Sequence, residues 1–148
     1  MVNYLWFFYA LGASVLWGLG YVLSEKVLKA GITPIFYLLV VSVLDVVVFG
    51  ILAMFEGFSS NLQLLADDRR NWTGLILTTM VFAVANILIS YGIVTKNATM
   101  ASFIEISYPI FTAFFAWLIL KETQFNCMTL IGGALIFTGI GFVFVGGK

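Results

Sequence analysis

Residues 98–120 read ATMASFIEISYPIFTAFFAWLIL, and this stretch decides what kind of chain it belongs to. Glu105 is its one ionisable side chain. A membrane helix needs roughly 20 mostly apolar residues to cross about 30 Å of hydrocarbon. Four further stretches meet that requirement: 4–23, 72–94 and 125–147 carry no charge, and 34–55 carries only Asp45. A β-barrel would need segments of about ten alternating residues, which the sequence lacks. The expected fold is therefore all-α: an integral membrane protein of five transmembrane helices, forming a single membrane domain over residues 1–148.

Composition leads to the same class. The 148 residues are 62% hydrophobic and 9% charged, against about 45–50% and about 25% in soluble domains. With a mean hydropathy of +1.10, a 16.4 kDa globule has no interior large enough for so much hydrocarbon. Soluble enzymes and disordered chains are excluded. Seven basic residues balance seven acidic ones, so no bulk field recruits a nucleic acid. The absence of His removes the commonest general base and metal ligand. The single Cys127 allows no intrachain disulfide. Neither a cofactor nor a metal site is expected, and no enzymatic activity.

Helix punctuation falls between the spans. Glu25 and Lys29 stand at i,i+4 on an extension of the first helix, and Gly31 can adopt the left-handed stop conformation. Thr33 before Pro34 reads as an N-cap followed by a first-turn proline. Asn71 and Asn97 are expected to cap the third and fourth spans. Capping is preferred there to glycosylation of the sequons at 71–73 and 97–99. The one long connection, 56–71, contains NLQLL at 61–65, which suits a short amphipathic turn along the interface. Residues 1–3 lack a basic leader region, so 4–23 is expected to be a retained span. Orientation should follow the Lys/Arg bias of short loops. The side holding the N-terminus, side A, receives Arg69, Arg70 and Lys121; the opposite side B receives Lys26, Lys29, Lys96 and Lys148. Three against four admits either a slight bias toward side B in the cytoplasm or insertion both ways.

Ionisable groups at mid-bilayer cost roughly 2.5–3.5 kcal/mol on insertion scales and are functional candidates by default. At 100° per residue, Glu105 shares a face with Ala98, Ala101, Ser102, Pro109, Thr112 and Ala116, opposite Phe103, Ile110 and Phe114. Asp45 lies among Leu38, Val41, Val48, Phe49 and Leu52, as a second carboxyl that bonds to a neighbouring helix or faces a partner subunit. Pro109 removes the amide that would bond to the Glu105 carbonyl, which marks a helix break beside the carboxyl. Broken helices at membrane depth are a device by which carriers build ion and substrate sites. Depth is a separate indicator. Glu105 lies about 10 Å in from side B, and Trp17 and Asn86 lie about 20 Å in from side A, which is the same level. Trp17, Tyr21, Asn86, Glu105 and the slightly deeper Tyr108 are the candidate substrate-binding residues. The small-residue repeats Ala10, Ser14, Gly18 and Gly132, Gly139, Gly146 read as helix-packing stripes.

A longer pattern runs through these positions. Trp17-Gly18, Tyr21-Val22 and Lys26 are followed by Tyr91-Gly92, Ala98 and Ala101-Ser102. Pro109-Ile110-Phe111, Leu120-Lys121-Glu122, Gly132, Leu135-Ile136 and Gly139 complete it. The series resembles the EamA domain of the drug/metabolite transporter superfamily, and the likeness extends over residues 16–141. It implies one five-helix unit of the kind that larger members carry twice, in inverted orientation, with a substrate cavity between the halves. It also implies that Glu122, in the Leu-x-Glu element, is a structural cap or loop partner. Residues 40–45 (VVSVLD) lack the arginine that many members carry on the second helix. Glu25, at the end of the first helix, does not match the embedded glutamate of the four-helix multidrug relatives.

Two functions are consistent with this reading. One is a secondary transporter of small metabolites or drug-like solutes, acting as a homodimer, antiparallel if the chain inserts both ways, with a central cavity. The other is a non-transporting membrane subunit, or half of a heteromeric transporter pair. The expected surroundings are the lipid bilayer of a prokaryotic cell (inner) membrane, with a small-molecule substrate and no nucleic acid. Aromatic and small residues around one or two carboxyls suit amino acids, organic cations and lipophilic drugs equally.

Overall fold

The computed structural model describes residues 4–123 and 126–146. Residues 1–3, the expected ends of the fifth span at Phe125 and Gly147, and Lys148 lie outside the described residues. Those described form α1 (Leu5–Lys29), α2 (Pro34–Phe55), α3 (Phe58–Asp67), α4 (Arg69–Thr95), α5 (Ala98–Glu105), α6 (Tyr108–Phe115) and α7 (Cys127–Gly146). A π-helical turn, Ala116–Leu120, continues α6. Five segments are long and apolar enough to cross a membrane: α1, α2, α4, the composite 98–120, and α7. The chain is a multi-pass, all-α membrane protein.

Local chemistry explains most boundaries. α1 stops where Gly31 takes φ +96, open to glycine without a Cβ penalty. Thr33 Oγ1 accepts from the Phe36 amide at 3.4 Å, and Pro34 sits in the first turn of α2. Residues 61–65 lie inside α3, a full ten-residue helix along which Leu62 and Leu64 are exposed. Asn97 Oδ1 accepts from the Met100 amide at 2.8 Å at the start of α5. The expected cap at Asn71 is corrected. α4 begins earlier, and Asp68 Oδ1 accepts from the Arg70 amide at 2.8 Å. Asn71 lies within the helix, where its Nδ2 donates to the Leu64 carbonyl at 3.1 Å and ties α3 to α4. An aspartate beside the first amides gains from the helix dipole as well as from the hydrogen bond, so Asp68 captures the cap from a neutral competitor.

The small core lies near side B, where the C-terminal ends of α1 and α4 meet the N-terminal ends of α2 and α5. Leu28, Ile93 and Ala98 are buried there, with Tyr21, Tyr37, Ile89 and Ala101 packed around them. Ser24 Oγ donates to the Gly20 carbonyl at 2.8 Å. Its one hydrogen thus used, it accepts from the Tyr37 hydroxyl at 2.6 Å, joining α1 to α2. The short α5 is central, packing on α1, α4 and α7. α6 meets α7 where a Cβ on Gly133 would stand 3.4 Å from Ile110. Within this chain the glycines of the small-residue stripes make no close helix contact: Gly18, Gly132, Gly139 and Gly146 have nothing within 4 Å of a Cβ position. The close approaches fall instead at Gly133 and at Gly92, 3.7 Å from the Ala101 Cβ.

Candidate functional site

The side chains that line the site come from five helices. On α1, Trp17 and Tyr21 are one turn apart and share a face. On α4, Phe82, Asn86, Ile89, Gly92 and Lys96 follow three- and four-residue steps down one side, with Lys96 just past the last turn. Ala101 and Glu105 do the same on α5, and Tyr108 and Thr112 on α6. These faces enclose a cavity of about 1250 Å³, closed on a further side by Val143 and Phe144 of α7. The structure thus brings all five sequence-derived candidates, Trp17, Tyr21, Asn86, Glu105 and Tyr108, onto one cavity.

The anchoring of α5 fixes where the carboxyl stands. Glu25 Oε2, on α1, accepts from the Ala98 amide at 2.7 Å. Its other oxygen pairs with Lys29. A carboxylate at a helix N-terminus satisfies an otherwise orphan donor and suits the positive end of the dipole. Glu25 therefore clamps the base of α5 onto α1, seven residues before Glu105. Across the cavity, the Tyr21 side chain interacts with the Glu105 carboxyl, with Tyr108 beside the pair. Tyr21, Ile89 and Ala101 belong to both the cavity wall and the packed core, so the core forms its floor.

The break next to Glu105 is real, and it re-phases the helix. α5 ends at Glu105, and the next bonds are short-range, from the Ser107 amide to the Ile104 carbonyl and from the Ile110 amide to the Ser107 carbonyl, each 3.2 Å. A straight helix would place both Tyr108 and Pro109 beside Glu105. After the break, Tyr108 and Thr112 keep to the cavity, while Pro109 turns with Ile110, Ala113 and Phe114 to a second groove of about 600 Å³ between α6 and α7. Pro109 shapes the site through the backbone and does not line it.

Asp45 lies outside this arrangement. It is exposed on α2, a helix that lines neither the cavity nor the second groove. Lys96 is the charged lining residue that sequence reasoning missed, having been counted only as a topological charge. Its ten-residue offset from Asn86, close to three helical turns, was the available signal. Among the described residues lining the cavity, Glu105 is the only acidic side chain and Lys96 the only basic one. Among all described residues, no three of His, Cys, Asp and Glu gather as metal ligands would. The arrangement can hold a solute against one carboxyl, one ammonium and several aromatic rings.

No curated protein and no solved structure shows significant similarity to the chain. A family model described as the EamA-like transporter family matches residues 4–145. That match takes in every residue of the cavity and all of the helices but the last residue of α7, and members of the family are transporters of the drug/metabolite type. The chain belongs to the EamA-like transporter family.

Proposed function

We propose that the chain is a secondary transporter of small metabolites or drug-like solutes, acting as a homodimer of five-helix units, with Trp17, Tyr21, Asn86, Glu105 and Tyr108 as its solute-binding residues. The observation that carries the reading is the convergence of all five on one membrane-embedded cavity around its single carboxyl. Glu105 exchanges a proton for solute. The second copy follows from the openness of the cavity: Trp17 is 59% exposed and Tyr108 50% exposed, so one unit alone leaves its site facing lipid. Asp45, exposed on the apolar α2, calls for cover from another polypeptide for the same reason. The pair is antiparallel, because a chain with an odd number of spans and a nearly even Lys/Arg distribution can enter the bilayer in both senses.

Reconstituted protein in liposomes tests the core of the proposal. A pH gradient drives solute exchange by the parent protein and not by Glu105→Gln. Undiminished pH-driven exchange in that variant removes Glu105 from the mechanism. A protein that stays monomeric in bilayers and exchanges no solute favours a non-transporting subunit instead.

A further inference from the structure

The chemistry of the cavity narrows the substrate class, given the reading of that cavity as the transport site. Among the described residues that line it, the one acidic group, Glu105, stands with Tyr21 and Tyr108, and Trp17 shares the wall. The one basic group among them, Lys96, lies nine residues earlier in the chain, at the side B end. Seven helical residues from Ala98 to Glu105 already separate the two levels by about 10 Å. Trp17, Tyr21 and Tyr108 therefore stand at the level of the negative charge and away from the positive one.

Aromatic faces attract cations and repel anions, because the ring quadrupole is negative above its plane, and the attraction strengthens out of water. A carboxylate within such rings, at membrane depth, is balanced by a solute cation or by a proton. An α-amino acid carries its two charges on one carbon. With its ammonium at Glu105, its carboxylate would stand unpaired among the rings, far short of Lys96. At the level of Glu105 the described lining offers an anion only neutral donors, such as the Asn86 amide, and no cationic side chain. Apolar side chains such as Phe82, Leu88 and Phe144 supply contact for a hydrocarbon body, and about 1250 Å³ exceeds the usual range for a small-molecule pocket, roughly 300–1,000 Å³. We propose that the cavity selects organic monocations with an aromatic or aliphatic body, the cationic group held between Glu105 and the rings of Trp17, Tyr21 and Tyr108.

Four probes share a phenyl body and differ in charge: trimethyl(2-phenylethyl)ammonium, phenylalanine, 3-phenylpropionate and 2-phenylethanol. Binding to the purified protein in lipid nanodiscs is measured by calorimetry, and uptake of each labelled probe in proteoliposomes. The ammonium ion binds roughly tenfold or more tightly than the other three. Glu105→Gln abolishes that preference, Glu105→Asp retains most of it, and Trp17→Ala lowers affinity for the cation severalfold while sparing the alcohol. Equal or tighter binding of phenylalanine or phenylpropionate overturns the proposal, as does an undiminished preference in Glu105→Gln or the binding of no probe at all. Saturable uptake of phenylalanine without that of the cation sinks the substrate class and leaves the transporter reading standing. Selective cation binding with no uptake of any probe does the reverse.

Discussion

At the scale of single residues, Glu25 has the widest reach. Its carboxylate receives the first amide of α5 and pairs with Lys29, so one side chain joins two helices and sets the base of the helix that carries Glu105. Glu25→Gln keeps an acceptor but loses the charge that suits the helix dipole, and Glu25→Ala loses both. Thermal unfolding in detergent should rank the parent above Glu25→Gln and that above Glu25→Ala. Equal melting temperatures would show that the clamp contributes nothing. Two loop positions respond in opposite senses to the same backbone conformation. Gly31→Ala places a Cβ at φ +96 and should cost about 1 kcal/mol, whereas Lys121→Gly relieves a side chain held at φ 59 and should gain a similar amount. Chemical unfolding in mixed micelles checks both signs. The Thr33 and Asn97 caps were legible in sequence because a cap is made with an amide three residues away. The Glu25 clamp was not, since its partner lies 73 residues on and local spacing carries no record of it.

Among the elements, the break between α5 and α6 decides which side chains share the cavity. Pro109 cannot donate to the Glu105 carbonyl, and the chain answers with two short-range bonds and a change of helical phase. The existence of the break was legible from one residue, and the candidate site from helical spacing combined with depth on three spans. The direction of the re-phasing was not legible, because it depends on how α6 settles against Gly133 of α7. Consequently Tyr108 was read correctly as a cavity neighbour of Glu105, while Pro109 was placed on the same face and lies on the other groove. Pro109→Ala restores the missing donor. The variant should melt higher than the parent, by an amount reflecting removal of a cost of up to about 3 kcal/mol. It should also transport more slowly, since a continuous helix turns residue 109 back from the second groove onto the face of Glu105 and changes the lining of the cavity. Transport at the parental rate in a more stable variant would show that the break serves folding alone.

For the whole molecule, the governing quantity is surface. The chain exposes 12111 Å², whereas a compact soluble monomer of its mass would expose about 7,500 Å². Lipid meets apolar surface at little cost but drives no association between helices, so a five-helix unit can remain this open, with an uncovered cavity. In the proposed dimer a second copy closes the cavity, and the orientation of that copy rests on a small difference in charge. Side A carries Arg69, Arg70 and Lys121 against Lys26, Lys29, Lys96 and Lys148 on side B. Arg69 and Arg70 begin α4, where positive charge opposes the helix dipole, so their removal does not weaken the helix. Arg69→Ala with Arg70→Ala leaves Lys121 alone on side A and should fix one orientation. Ser59→Lys with Gln63→Lys, both on the exposed face of α3, shifts the majority to side A and should fix the other. Cysteine tags at the termini then label from both faces of the membrane in the parent and from one face in each variant. Each variant alone should lose solute exchange, and co-expression of the two should restore it. A parent that labels from a single face, or a fixed variant that transports unaided, would show that the two units lie parallel.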